Sequence, residues 1–96
     1  SEFLLLMHND APDERSADWS VYLDRLAASG RLRGGSSLGS GICARKDGGA
    51  RPVSAHISGF VRIVADSLEE ARTCLEGNPV YEGGGTVEIR LLVADE

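Results

Sequence analysis

An uninterrupted apolar run, Phe3-Leu4-Leu5-Leu6-Met7, stands near the start of the chain and constrains the fold more than any other feature. A β-strand with one face in water alternates apolar and polar side chains, and this run does not alternate. It therefore predicts a central strand, ending at His8, that is covered on both faces. The run is much shorter than the ~20 residues that a membrane-spanning helix needs, and no basic segment precedes it as in a signal peptide. We expect a cytoplasmic protein with no membrane partner.

The size of the chain predicts one domain, residues 1–96. With 96 residues, 42% of them hydrophobic, the chain can form only a thin core, because a domain of this size buries about 60–70% of its unfolded surface. A partner subunit would add burial. The net charge is −5 and the Lys and Arg residues are scattered, which argues against nucleic acid as a partner. Cys43 and Cys74 lack the spacing of a zinc or redox motif, so we expect partly or fully buried free thiols, no metal site and no cofactor.

Two helices are predicted. The first has Ser16 as its N-cap and Gly30 as its C-terminal stop, and its apolar side chains recur at the helical spacing: Trp19, Tyr22, Leu23 and Leu26. The second begins with a capping-box pattern, Ser67 followed by Glu70, and ends at Gly77. Its predicted apolar face consists of Leu68, Ala71 and Leu75.

Three further strands complete the pattern. Residues 31–51 are rich in Gly and Ser and predict an irregular or edge strand, followed by a hairpin turn at Lys46-Asp47-Gly48-Gly49. Residues 53–65 are rich in β-branched side chains and predict one strand, with a possible break at Ser58-Gly59. Residues 78–85 form a loop before the last strand, 86–93, in which apolar and polar side chains alternate. The order is β-α-β-β-α-β.

This order places both helices on one face of a four-stranded antiparallel sheet, an α+β fold, because right-handed crossovers carry them to the same side. The opposite face is left bare. It is nevertheless apolar, since the first strand is apolar at both parities and the third carries Phe60, Val61, Ile63 and Val64. An exposed apolar sheet face is unfavourable in a monomer, so we expect a homodimer in which this face packs on a second copy.

Several strings, in this order and spacing, resemble the YCII-related, or DGPF-domain, proteins. They are residues 3–8 (FLLLMH), 26–32 (LAASGRL), 58–60 (SGF), 65–71 (ADSLEEA), 78–79 (NP) and 84–90 (GGTVEIR). The resemblance covers nearly the whole chain. It implies a ferredoxin-like βαββαβ domain that pairs into a dimeric α/β barrel, with two sheets facing each other around a cleft.

Two departures limit what the resemblance implies for activity. The Asp-Gly-Pro-Phe tetrapeptide that names one branch is absent, and residues 51–56 (RPVSAH) stand in its place. In some relatives, a His on the first helix and an Asp before a Pro after the second helix are proposed as an acid/base pair. The corresponding positions here are Trp19 and Asn78, neither of which titrates in that way, so the pair does not carry over.

Polar residues on the strands of the bare face are the candidates for chemistry. His8 and His56 are candidate acid/base groups, and an Arg could hold an anionic substrate through paired hydrogen bonds. The candidate ligand-binding residues are Asp10, Arg62, Tyr81, Glu82, Glu88 and Arg90. The structural alternatives are that Glu88 and Arg90 are solvated or paired across strands, that Arg62 is an ion-pair partner, and that each His is merely hydrogen-bonded.

Residues 35–39 fit Gly-x-Ser-x-Gly, yet no helix follows as a nucleophile elbow requires, and the Gly-rich stretch lacks the Lys of a phosphate loop. Two functions stay open. The first is a homodimer that binds a small polar or anionic molecule in an intersubunit cleft, as a His-assisted lyase or isomerase. The second is a non-catalytic binding or regulatory module whose sheet face serves dimerisation.

Overall fold

The computed structural model describes residues 1–49 and 51–94. Four strands form one antiparallel sheet in the order β2-β3-β1-β4. This is the predicted α+β, ferredoxin-like arrangement, with one additional short helix. The elements are β1 (Glu2–His8), α1 (Asp18–Ala28), β2 (Leu32–Ser37), β3 (Ile57–Val64), α2 (Leu68–Thr73), α3 (Pro79–Glu82) and β4 (Val87–Leu92).

Strand β1 lies in the middle of the sheet, as its apolar run predicts, between β3 and β4. Its odd-numbered side chains, Phe3, Leu5 and Met7, are buried together with side chains from the helices. Its even-numbered side chains, including Leu4 and Leu6, are half-buried on the opposite face. Within a single chain the helices therefore cover one face of β1, and the second face, which we call the open face, carries no helix from residues 1–49 or 51–94.

Helix α1 packs Tyr22 and Leu26 into the core. The Tyr22 hydroxyl donates a hydrogen bond of 2.7 Å to the main-chain oxygen of Cys74, and this bond ties α1 to the end of α2. Gly30 stops the helix with φ +80°, as predicted. The prediction of Ser16 as N-cap is wrong: the cap position is Ala17, which makes no side-chain capping bond, because the chain forms a turn over residues 15–18 before the helix begins.

Helix α2 begins as its capping pattern predicts, since the Ser67 hydroxyl accepts a hydrogen bond of 3.1 Å from the main-chain N–H of Glu70. The Glu70 carboxylate turns instead to Arg31, which donates to it. Leu68 was expected on the apolar face, and this is wrong: it is 57% exposed. The helix spans only six residues, so Leu75 lies in the turn beyond it and the apolar face starts at Ala71.

Helix α3 occupies residues predicted to be a loop. The Asn78 side chain caps it by accepting hydrogen bonds from the N–H groups of Val80 (3.0 Å) and Tyr81 (3.1 Å). Pro79 follows as the first helical residue, where its missing N–H costs nothing. Asn followed by Pro is thus a helix start here, and Val80 anchors the turn in the core.

The segment between β2 and β3 is longer than a hairpin turn. An antiparallel bridge between Cys43 and Arg51 shows that the chain reverses near the predicted turn. The two strands, however, pair only from Ser37 and Gly59 inward. Strand β3 accordingly begins at Ile57 rather than at residue 53. The irregularity predicted at Ser58-Gly59 is a bulge, because β1 pairs Met7 with Gly59 but His8 with Ile57.

Candidate functional site

The open face carries a band of apolar side chains between polar ones. The register places Phe60 and Glu88 on either side of Leu6, and Arg62 and Arg90 on either side of Leu4. The apolar members are half-buried, and no element of the described part of the chain covers them: Leu4, Leu6, Phe60, Val64 and Leu92. An exposed apolar face of this composition is typical of a surface that contacts a partner or a ligand.

His8, Glu88 and Arg90 form a hydrogen-bonded chain at one end of the open face. The His8 Nε2 atom lies 3.2 Å from the Glu88 Oε1 atom. The other carboxylate oxygen of Glu88 accepts a hydrogen bond of 3.1 Å from the Arg90 guanidinium. Bonds from Arg90, first, and from His8 hold the pKa of the Glu88 carboxyl below its ordinary value of 4.5. The carboxylate is therefore ionised at neutral pH and fixes the orientation of the imidazole.

His56 stands against this chain from the segment before β3. Its ring meets the His8 ring edge to face, with centroids 5.3 Å apart and planes at 82°. Asn9 fixes that segment, since its main-chain N–H donates to the carbonyl of His56 at 2.9 Å and its side chain donates to the carbonyl of Ala55. The two histidines predicted as acid/base candidates are thus brought together.

Asp10 has a structural role, because its carboxylate is bonded to Thr86. Its carboxylate accepts hydrogen bonds of 2.7 Å from both the main-chain N–H and the hydroxyl of Thr86. These bonds, the hydroxyl's first, hold the pKa of Asp10 below its ordinary value. The carboxylate ties the end of β1 to the start of β4, and so sets the position of His8 relative to Glu88.

Three other predicted ligand-binding residues do not join the cluster. Arg62 lies on the open face, but its guanidinium donates to the Glu2 carboxylate at 2.7 Å. Tyr81 and Glu82 belong to α3, on the helix-covered side of the sheet, where Glu82 accepts a hydrogen bond from the N–H of Gly77. Arg62 is therefore an ion-pair partner, which is the structural alternative to a ligand-binding role.

A cavity of about 500 Å³ lies on the helix-covered side, between α1 and the β2–β3 edge of the sheet. Sequence reasoning missed it. The sequence feature that could have indicated the cavity was the pair of glycines, Gly35 and Gly59, together with Trp19 on α1. The strand register that places these glycines opposite Val61 and Ser37 is not visible in the sequence.

The two positions that the family resemblance assigns to an acid/base pair, Trp19 and Asn78, have other roles in this structure. Asn78 is completely buried as the cap of α3, and its amide also contacts the Met7 sulfur at 3.9 Å. Trp19 is half-buried, donates from its indole nitrogen to the Glu14 carboxylate at 2.8 Å, and lines the cavity. Neither side chain is itself a titrating group, and both are held by contacts within the chain.

Within residues 1–49 and 51–94, no group of three or more His, Cys, Asp or Glu side chains is placed to hold a metal ion. The helices of the same described ranges are all too short or too polar to cross a membrane. Of the cysteines, Cys74 is buried and Cys43 partly so, and both are free thiols, as predicted.

Comparison with known proteins defines the class by fold. No protein-family model matches the chain. No curated protein matches it either. A solved structure does: 5-chloro-2-hydroxyhydroquinone dehydrochlorinase from Burkholderia phenoliruptrix AC1100, in complex with 2,5-dihydroxybenzoquinone, with a TM-score of 0.50 and 19% identity over 99% of this chain and 96% of that one. The chain is thus an α+β domain that shares the fold of this dehydrochlorinase over its whole length.

Proposed function

We propose that the chain forms a homodimer through its open face and binds a small polar or anionic molecule in the cleft between the two sheets, with His8 as a general acid or base. The observation that carries the proposal is the contact between His8 and Glu88, whose carboxylate is itself bonded to Arg90. We also propose that the domain is a YCII-related, dimeric α/β barrel protein, as its sequence resemblance implies.

The chemistry follows from the protonation states of this chain of groups. Glu88 stays ionised because its pKa is lowered, and a carboxylate bonded to one imidazole nitrogen leaves the other free to exchange a proton with a ligand. Dimerisation would remove water from the cleft and strengthen these interactions. His56, in edge contact with His8, provides a second imidazole for the same ligand.

The character of the ligand follows from the charges on the open face. Arg62 is balanced by Glu2, and Arg90 by Glu88, so the face offers hydrogen bonds without a strong net field. Such a cleft suits a small molecule with several oxygen atoms. The dehydrochlorinase that shares the fold was solved with 2,5-dihydroxybenzoquinone, and a ligand of that size and polarity fits the proposal.

The dimer is tested by sedimentation velocity across a dilution series. We expect a dimer for the wild type and a shift to monomer, by at least tenfold in dissociation constant, for Leu6→Glu, because this substitution places a charge in the apolar band. Leu68→Glu is the matched control, since Leu68 is exposed on α2 and its substitution should leave the mass unchanged. A wild type that stays monomeric at micromolar concentration would overturn the proposal.

The site is tested by NMR titration with 2,5-dihydroxybenzoquinone. The chain has two histidines, so their imidazole signals are easily assigned with His8→Asn and His56→Asn. We expect saturable shifts of both signals and at least tenfold weaker binding by His8→Asn and by Glu88→Gln. Equal affinity of His8→Asn and wild type would remove His8 from the site.

The second candidate function is a non-catalytic binding or regulatory module. It is favoured by Trp19 and Asn78, which stand where some relatives have a titrating pair and are both committed to other contacts. In that case the open face would form the same dimer, but the titration would shift neither histidine.

A further inference from the structure

The cavity on the helix-covered side owes its shape to two glycines. Gly35 on β2 is opposite Val61, and Gly59 on β3 is opposite Ser37. The two glycines are therefore diagonal neighbours across the pair of strands, and neither carries a side chain. The strands run close together there: a Cβ at Gly35 would lie 2.5 Å from the Phe60 carbonyl oxygen, and one at Gly59 would lie 3.0 Å from that of Ser36. Larger residues at these positions would force the strands apart, so the two glycines allow the close approach and leave a shallow depression in the sheet surface.

Helix α1 supplies the opposite wall through Trp19 and Leu23, both half-buried. The indole is held from two sides. Its nitrogen donates to Glu14 at 2.8 Å, and its ring meets the Tyr22 ring edge to face, with centroids 5.7 Å apart. The cavity therefore lies between the indole of Trp19 and the part of the sheet around Gly35 and Gly59. Such a space suits a flat molecule, because flat rings pack well against an indole.

The residues that line the cavity indicate which kind of ligand it can bind. Met7, Leu23 and Val61 make much of the wall apolar, and among the described lining residues Glu14 alone is ionisable. Its negative charge disfavours an anion, whereas its carboxylate and the hydroxyl of Ser37, which also lines the cavity, can bond to a ligand hydroxyl. The volume of about 500 Å³ lies within the ~300–1,000 Å³ of small-molecule sites.

We infer that each chain carries a second binding site here, for an uncharged aromatic ring bearing a hydroxyl group. This site lies across the sheet from the cluster around His8, and it takes a neutral ring rather than a polar or anionic molecule. It depends neither on His8 nor on a second copy of the chain.

The probe is p-cresol, with benzoate as an anionic ring of similar size. The chain has a single tryptophan, so one indole N–H signal in a ¹H–¹⁵N spectrum reports directly on the cavity wall. We expect p-cresol to shift this signal saturably in the wild type and in His8→Asn alike, and benzoate to bind at least fivefold more weakly. No saturable shift with p-cresol, or equal binding of benzoate, would overturn the inference.

Two substitutions locate the site. Ser37→Leu should fill the space above Gly59 and weaken p-cresol binding at least tenfold, whereas Ser40→Leu, at an exposed serine outside the cavity lining, should not. Glu14→Gln keeps a side-chain oxygen that can accept the Trp19 hydrogen bond, and it should strengthen benzoate binding by roughly two- to fivefold, the range that one exposed charge supplies. Unchanged p-cresol affinity in a folded Ser37→Leu, or unchanged benzoate affinity in Glu14→Gln, would contradict the assignment.

Discussion

The two faces of the sheet are made by alternate residues of the same strands, yet they differ in kind. On the helix-covered face, Leu5 and Ile63 are fully buried and the neighbouring side chains are apolar. On the open face, Leu4 and Leu6 lie among ion pairs and a carboxylate-bonded histidine. The first face is packed against helices of the same chain, while the second is the face through which we propose that the chain dimerises. Stability should therefore be concentrated on one side of the sheet and recognition of a second copy on the other.

The largest expected effect contrasts Leu5 with Leu6, neighbours on β1. Leu5→Ala should lower the free energy of unfolding by roughly 2–5 kcal/mol, because it opens a cavity in a packed core. Leu6→Ala should cost less at low protein concentration, and its cost should grow as the concentration rises and the dimer forms. Urea denaturation at several concentrations measures both. Equal losses that do not depend on concentration would remove the distinction between the faces.

Asn78→Ala should have the next largest effect, roughly 1–3 kcal/mol, because it leaves one buried and one partly buried N–H group without their acceptor. The bonds concerned are those to Val80 and Tyr81. The measurement is again urea denaturation. Asn78→Asp is the matched variant, since a carboxylate can accept the same bonds, and a loss as large as that of Asn78→Ala would show that capping is not the cause.

Tyr22→Phe should cost about 0.5–1.5 kcal/mol, the contribution of one net hydrogen bond. Burial raises the pKa of Tyr22 to about 12 from its ordinary value of 10.0. The folded state therefore favours the protonated phenol, so the difference between wild type and variant is present below pH 10 and shrinks as the pH rises toward 12. Thermal denaturation across that range checks it, and a difference that stays constant would refute this origin.

The smallest effect belongs to Glu88 on the open face. Its pKa is lowered by Arg90 and His8, so its pairing stabilises the fold above the ordinary value of 4.5 and is lost as the pH falls below it. Glu88→Gln should accordingly flatten this acid limb of the stability curve. Glu69→Gln, at an exposed residue of α2, is the control, and an identical acid limb in both variants would argue against the His8–Glu88–Arg90 chain.

Much of the fold was predictable because its signals are local. The apolar run of β1, the helical spacing through Tyr22 and Leu26, and the cap at Ser67 each act over a few residues. Helix α3 was missed because it spans only four residues, too few to show a period. Leu68 was misplaced because it is the first residue of α2 and is exposed, whereas the side chains of this helix that pack into the core begin at Ala71.

Part of the candidate site was predictable because it too depends on a local pattern in the sequence. His8, Glu88 and Arg90 share a face by strand parity, and parity can be read from a sequence. Tyr81 and Glu82 could not be placed, because their position depends on a helix that was not foreseen. The cavity depends on which residue of β2 pairs with which residue of β3, and that register is set only in the folded sheet.

Strand β2 is an outer strand, paired only with β3 among the described strands, and its sequence includes Gly34, Gly35, Ser36 and Ser37. The free edge of a sheet can recruit strands from other molecules and seed aggregates, most readily when it is flat and rich in β-branched residues. This edge is irregular between Leu32 and Gly34 and has little β propensity. The same residues that shape the cavity thus make the edge a poor template for uncontrolled polymerisation at high concentration.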